Sequence, residues 1–300
     1  MRVFITGATG HLGSALVPEL LQHDHEVIGL ARSDDSADRL TKWGADVVRG
    51  ELGDLDTISS TAAAADGVIH LAFRHDAMQV GDMTGAADSD LAAIRAIAET
   101  LEGTGKPFVG TSGTGLVAAA GLDHPGTEDD TLAGGYRIDA ENFVVDLAAK
   151  GIRSSVVRLP IVHGPLDTGF LTSLVEFARR NGFSAYIGDG TNRWSSVHTN
   201  DAARLYRLAL EKAPAGSRLH AVHDGGVALR QIAEAIGRGL DLPARSITAD
   251  QAPEYVGYLA HFAAIDNPTT ATRTRELLDW QPTEIGLLED LALGHYFRQG

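Results

Sequence analysis

Thr6-Gly7-Ala8-Thr9-Gly10-His11-Leu12-Gly13 constrains this chain more than any other stretch. The apolar run Val3-Phe4-Ile5 precedes it, and Ser14-Ala15-Leu16-Val17-Pro18-Glu19-Leu20-Leu21 follows. That order reads as strand, glycine loop, helix. Gly7 permits the tight turn, Gly10 leaves room for a pyrophosphate against the backbone, and Gly13 lets the helix approach the strand. The helix N-terminus offers free N–H groups and a partial positive charge to phosphates. A tight turn with no ligand would also accommodate three glycines. The flanks favour a first βα unit in which Gly7, Thr9, Gly10, His11, Leu12 and Gly13 hold a dinucleotide.

The chain continues the alternation. Apolar strands are expected at 2–5, 26–30, 46–49, 67–71, 107–111 and 153–157, with helices near 11–22, 36–43, 57–64, 86–102 and 136–149. Strands alternating with helices imply a parallel sheet covered on both faces, and right-handed crossovers make it doubly wound. The second half is less regular. It reads as helices near 169–181, 200–212, 229–239, 270–278 and 285–297, with short strands near 185–187, 195–197 and 218–222. The expected architecture is α/β: a doubly wound parallel Rossmann sheet over 1–162 that also receives later segments. A smaller, mainly substrate-binding region follows over 163–300.

Composition narrows the function. A formal charge of −15 disfavours nucleic acid and anionic membrane as partners. No apolar run is long enough to span a bilayer, and the N-terminal stretch lacks the pattern of a signal peptide. Zero cysteines exclude disulfides and thiolate chemistry and are compatible with a reducing, cytoplasmic setting. His163, His198 and Asp201 have no metal-like spacing, so no metal site is expected.

The strand ends carry the remaining signals. The second strand runs into Ala31-Arg32-Ser33. An acidic residue at this point would suit a ribose 2′-hydroxyl, whereas Arg32 with Ser33 suits a 2′-phosphate, favouring NADP(H) over NAD(H). The third strand runs into Gly50-Glu51-Leu52, where Glu51 is placed to accept from an adenine amino group, and Asp54 reads as a helix N-cap. The fourth leads to Leu71, Ala72 and Phe73, and small Ala72 lets the chain pass close to the cofactor. His70, inside this apolar strand, reads as a hydrogen-bonded core histidine. His75 follows at the ligand-binding edge, as a proton donor or as an ordinary exposed loop histidine.

Taken together, the sequence resembles the short-chain dehydrogenase/reductases of the extended or atypical type. The matching stretches are TGATGHLG at 6–13, GEL at 50–52, HLA at 70–72, TSG at 111–113, RLPIVHGP at 158–165, WSSVHTNDAA at 194–203 and LLDWQPT at 277–283. The resemblance implies that Thr111 and Ser112 lie beside the nicotinamide, that Pro160, Ile161 and Val162 flank its ring, and that helices near 86–102 and 136–149 form a homodimer. It also implies a catalytic hydroxyl after the fifth strand and a Tyr-x-x-x-Lys pair. Here Tyr136 takes the Tyr position, Ala140 the Lys position and Gly113 the hydroxyl position, with Ser112 and Thr114 on either side. Arg137 is adjacent to Tyr136, but neighbouring helix positions diverge, which makes it a weak substitute for Lys.

Tyr136 then reads either as a neutral proton donor or as a packing residue. The pocket is expected from 73–90, 113–136 and 163–197, with Arg193 and Trp194 as candidate substrate anchors, Trp194 reading equally as a core residue, and an apolar lid near 251–268. A NADP-dependent reductase acting on a modestly apolar carbonyl compound is the leading expectation. A nucleotide-sugar epimerase or dehydratase and a non-catalytic NAD(P)-binding regulator are the alternatives.

Overall fold

The computed structural model describes residues 1–298; Gln299 and Gly300, the end of the expected C-terminal region, lie outside the described residues. The first half consists of β1 (Arg2–Thr6), α1 (His11–Gln22), β2 (Glu26–Ala31), α2 (Asp34–Trp43), β3 (Asp46–Arg49), α3 (Leu55–Ala64), β4 (Gly67–His70), α4 (His75–Gln79), α5 (Met83–Leu101), β5 (Pro107–Gly113), α6 (Thr114–Ala118), α7 (Ile138–Asp146) and β6 (Arg153–Leu159). Beyond it come β7 (Ile161–His163), α8 (Phe170–Asn181), β8 (Ser184–Ile187), β9 (Arg193–His198), α9 (Thr199–Lys212), β10 (Ser217–His220), β11 (Asp224–Ala228), α10 (Leu229–Leu240) and β12 (Ala244–Ile247). Four short helices close the chain: α11 (Ala252–Val256), α12 (Ala260–Ala263), α13 (Thr272–Leu278) and α14 (Leu287–Ala292).

Seven strands form a parallel sheet in the order β10-β6-β5-β4-β1-β2-β3. The order reverses beside β1, which opens a crevice between the carboxyl ends of β1 and β4. The inner strands are continuous apolar runs because both faces of the sheet are covered. On one face α1 and α9 bury Leu16, Leu20, Leu205 and Tyr206, and Trp280 closes that layer from near the chain's end. On the other, α3, α5 and α7 bury Ile58, Ala93, Ile97 and Val144. A third apolar cluster, built around Leu171, Val175, Ile232 and Ile236, holds the C-terminal helices together.

A buried ion pair stitches the second layer to the sheet. Glu141 on α7 accepts from Arg158 of β6, Nη2 at 2.6 Å and Nε at 3.0 Å, and from Arg218 Nε of β10 at 2.9 Å. The side chains of Arg158 and Glu141 are 0% and 1% exposed. Burial alone would raise the Glu141 carboxyl, but Arg158, Ser112 and Arg218 outweigh it and hold it below the ordinary range.

Several segments differ from the expectation. β7, β11 and β12 are short strands outside the main sheet, and α4 and α6 are single turns in stretches with no helical period. The expected helix 136–149 starts only at Ile138, because Arg137 holds a left-handed backbone at φ 56°. The expected helix 285–297 ends at Ala292, and Gly294, at φ 78°, turns the chain into a short 3-10 segment at His295–Phe297. Asp54 does precede α3, but its carboxylate accepts from Glu51 N at 2.7 Å and caps nothing in the helix.

Candidate functional site

The glycine loop sits at the crevice. Gly7 adopts φ +71°, and a Cβ there would lie 2.8 Å from Ala72 N; one on Gly13 would lie 2.4 Å from Ala8 O. Both glycines are therefore required by close backbone approach. Gly10 precedes α1 with no side-chain cap, so the first N–H groups of the helix are open to an anion. Leu71 N and Ala72 N donate to Thr6 O and Thr6 Oγ1, both at 3.2 Å, which runs 71–73 alongside the loop.

Ser33 caps α2 by accepting from Ser36 N at 3.2 Å, and its hydroxyl donates to Ser36 Oγ at 3.0 Å. Arg32 is exposed and makes no hydrogen bond or ion pair among the described residues. Two arginines missed in the sequence join this corner. Arg39 donates to Thr9 O at 2.9 Å, and Arg49 donates to Ser33 O and to Asp34 at 2.8 Å. Their signal was position: each follows β2 or ends β3, next to the Arg32 strand end. Glu51 is exposed and Leu52 half-buried beside them.

Phe73 organises the far side of the crevice. His75 meets its ring edge-on at 5.3 Å and Tyr136 at 6.5 Å, while the Arg137 guanidinium lies 4.0 Å from its centroid. Arg137 Nη2 also donates to Thr111 O at 3.1 Å. The expectation that Arg137 turns away is therefore corrected. The rule for neighbouring helix positions does not apply, because α7 begins after Arg137 and the left-handed residue redirects the chain. Ala140, by contrast, is 5% exposed and packed in the α5–α7 layer. Burial and Asp90 raise the Tyr136 hydroxyl above its ordinary pKa, against the opposing pull of Arg137.

The remaining hydroxyls turn inward. Thr111 Oγ1 bonds His70 O at 2.7 Å and Tyr206 Oη at 2.8 Å. Ser112 is 3% exposed beside Glu141, and Thr114, also 3% exposed, accepts from Asn267 Nδ2 at 2.9 Å. Pro160 and Val162 are half-buried, and Ile161 packs in the C-terminal cluster. Trp194 takes its core alternative, and Arg193 is paired at the surface. Arg193 is held by both oxygens of Asp266, at 3.1 and 2.7 Å, and Trp194 is 4% exposed against Phe170.

A second cluster flanks the glycine loop. His11 Nδ1 lies 3.6 Å from Asp167 Oδ1, on the loop after β7, and His163 bonds Asp290 at 2.9 Å. His198 instead caps α9, accepting from Asn200 N at 3.2 Å. No group of three or more His, Asp or Glu is placed to hold a metal among the described residues. Burial, with His163 and His198 nearby, lowers His11 to about 4, and burial raises Asp167 to about 6.

These two groups act on stability with opposite sign. Asp167 binds its proton more tightly when folded, so its contribution is present below pH 4 and lost as pH rises through about 6. The contribution of His11 is present above its unfolded value of 6.5 and lost as pH falls through about 4. The two contributions therefore oppose each other between about pH 4 and 6.5. Asp167→Asn should therefore gain stability from pH 4 to 6.5, and His11→Asn should lose it. Parallel pH profiles of the two variants in urea unfolding would refute this.

The parallel sheet, the reversal beside β1 and the glycine loop define a Rossmann-like nucleotide-binding α/β protein. Residues 3–222 match the family model described as the NAD dependent epimerase/dehydratase family, and the chain belongs to that family. It is 42% identical over 300 residues to the uncharacterized protein C2A9.02 of Schizosaccharomyces pombe, covering 99% of this chain and 100% of that protein. It is 27% identical over 226 residues to a 2-alkyl-3-oxoalkanoate reductase of Stenotrophomonas maltophilia, covering 72% of this chain and 67% of that one. The fold also matches a UDP-glucose 4-epimerase from Thermotoga maritima, with TM-score 0.79 at 19% identity over 99% of this chain and 98% of the other.

Proposed function

We propose that the protein is an NADP-dependent reductase of a small ketone, with Tyr136 as proton donor. The observation that carries this reading is the placement of Tyr136 and Arg137 together on Phe73, at the carboxyl edge of β4 and β5. The relative named as an oxoalkanoate reductase supports it.

The open N–H groups of α1 and the glycine backbone fit a pyrophosphate, with Thr9, His11 and Leu12 around it. Arg32, with Ser33 and Ser36, fits a 2′-phosphate. The reduced nicotinamide, when bound, supplies the hydride for the carbonyl carbon. Tyr136 Oη gives its proton to the carbonyl oxygen and regains one from solvent. Its raised pKa keeps it protonated at neutral pH, which suits reduction and not alcohol oxidation. Arg137 cannot release a proton, so its part is to stabilise the phenolate. His75 lies across Phe73 on α4, and desolvation and the Arg137 charge hold its imidazole below the ordinary pKa, so it is a weaker candidate for the proton.

The test is NADPH consumption across a panel of ketones, β-oxo esters and enones, with UDP-glucose as the epimerase control. Turnover of a ketone supports the reading, and conversion of UDP-glucose instead would overturn it. Arg32→Ala should weaken NADPH by about ten- to a hundredfold, the worth of one charged hydrogen bond. NADH affinity should move less than twofold, on the order of an uninvolved surface change. Fluorescence titration of both cofactors measures this, and an equal loss for the two would remove Arg32 from the 2′-phosphate site.

A further inference from the structure

A buried polar chain runs under the site, and its two central members, His70 and Asp90, have no part in the roles above. Ala72 N donates to Thr6 Oγ1 at 3.2 Å, and Thr6 Oγ1 bonds His70 Nδ1 at 2.8 Å. His70 Nε2 meets Asp90 Oδ1 at 3.1 Å, and Asp90 Oδ2 faces Arg137 Nε at 3.5 Å. The side chains of His70 and Asp90 are 2% and 1% exposed. The order of donors follows from chemistry. A carboxylate only accepts, so Nε2–H of His70 donates to Asp90, and Nδ1 accepts the Thr6 hydroxyl proton. Every step thus points towards Asp90 and leaves its second oxygen for Arg137.

Arg137 needs such a hold. A left-handed backbone costs an arginine about 1 kcal/mol or more and persists only where the surroundings impose it. The guanidinium meets Phe73, Thr111 O and Asp90, and of these only Asp90 is anionic.

We propose that Asp90 is a positioning residue: locked by His70 and Thr6, it holds the Arg137 guanidinium beside Tyr136 and so ties β1, the strand of the glycine loop, to the proton-donating pair. Asp90 also sets the electrostatics there by offsetting the Arg137 charge. The charged or titratable groups near the Tyr136 hydroxyl are Arg137, Asp90 on α5 and, across Phe73, His75 on α4. The inference rests on the proposed reading only in giving Tyr136 a proton to donate.

The test is the titration of Tyr136, followed by NMR in protein carrying 13Cζ-labelled tyrosine and assigned with Tyr136→Phe. Arg137→Gln should raise the Tyr136 midpoint, because it removes a cation beside the phenolate. In protein carrying Asp90→Asn the same Arg137→Gln change should move the midpoint much less, because the untethered guanidinium no longer stands beside the phenolate. Asp90→Glu, which keeps the charge, should restore most of the native Arg137 effect. If Asp90→Asn does not fold, Thr6→Val, which removes the hydroxyl that locks His70, carries the same cycle. An Arg137→Gln shift of equal size with and without the tether overturns the proposal. No substrate enters this measurement, so conversion of UDP-glucose in place of a ketone would sink the reductase reading and leave the tether to be judged separately.

Discussion

Glu141→Ala is expected to cost about 3–5 kcal/mol of folding stability, a large share of the ~5–15 kcal/mol that holds a native protein together. Arg158 is wholly buried, and without Glu141 its guanidinium keeps, among the described residues, only His220 Nε2 at 3.2 Å and Thr127 O at 3.5 Å. An unpaired buried charge is far costlier than a missing pair. Arg158→Met should therefore be milder, because Glu141 retains Arg218 at 2.9 Å. Urea unfolding of both variants measures the asymmetry. Equal losses would mean that lost packing, not the stranded charge, dominates.

Tyr136→Phe is expected to lower kcat by about 10²–10⁴-fold on whichever ketone is turned over, the usual worth of a positioned proton donor. KM should change little, since the phenol is asked to act on the oxygen only as charge develops there. The native kcat should stay level through neutral pH, because the phenol titrates above its ordinary value. Arg137→Lys should retain more activity than Arg137→Gln, as it preserves a cation beside the phenolate. Full turnover in Tyr136→Phe would move proton donation to His75.

The sheet was legible because its strands are unbroken apolar runs, Val3-Phe4-Ile5 and Val68-Ile69 among them, and its helices repeat at a helical period. β7 was not, since three residues carry no period. The glycine loop was legible because glycine spacing and backbone geometry are local. Arg137 was misread because its direction is set by a left-handed backbone and by Asp90, a residue distant in sequence. Asp90 itself gave no warning, since an aspartate in an alanine-rich helix ordinarily faces water. Asp167 belongs to the same class: a loop carboxylate whose burial depends on where α1 lies.

Trp280 has a consequence for how the protein is made. Its indole donates to Asp201 O at 3.0 Å, and Asp201 also receives Thr283 N at 2.9 Å and Glu284 N at 3.1 Å. One face of the sheet is therefore finished by residues made well after the strands they cover. During synthesis the nascent nucleotide-binding half presents bare Leu, Val and Ile until α9 and then Trp280 arrive to cover it. A fragment ending at residue 162 should be sticky and chaperone-bound rather than a free-standing unit. The two halves of this chain would then be one cooperative fold, completed only when its distal segment docks.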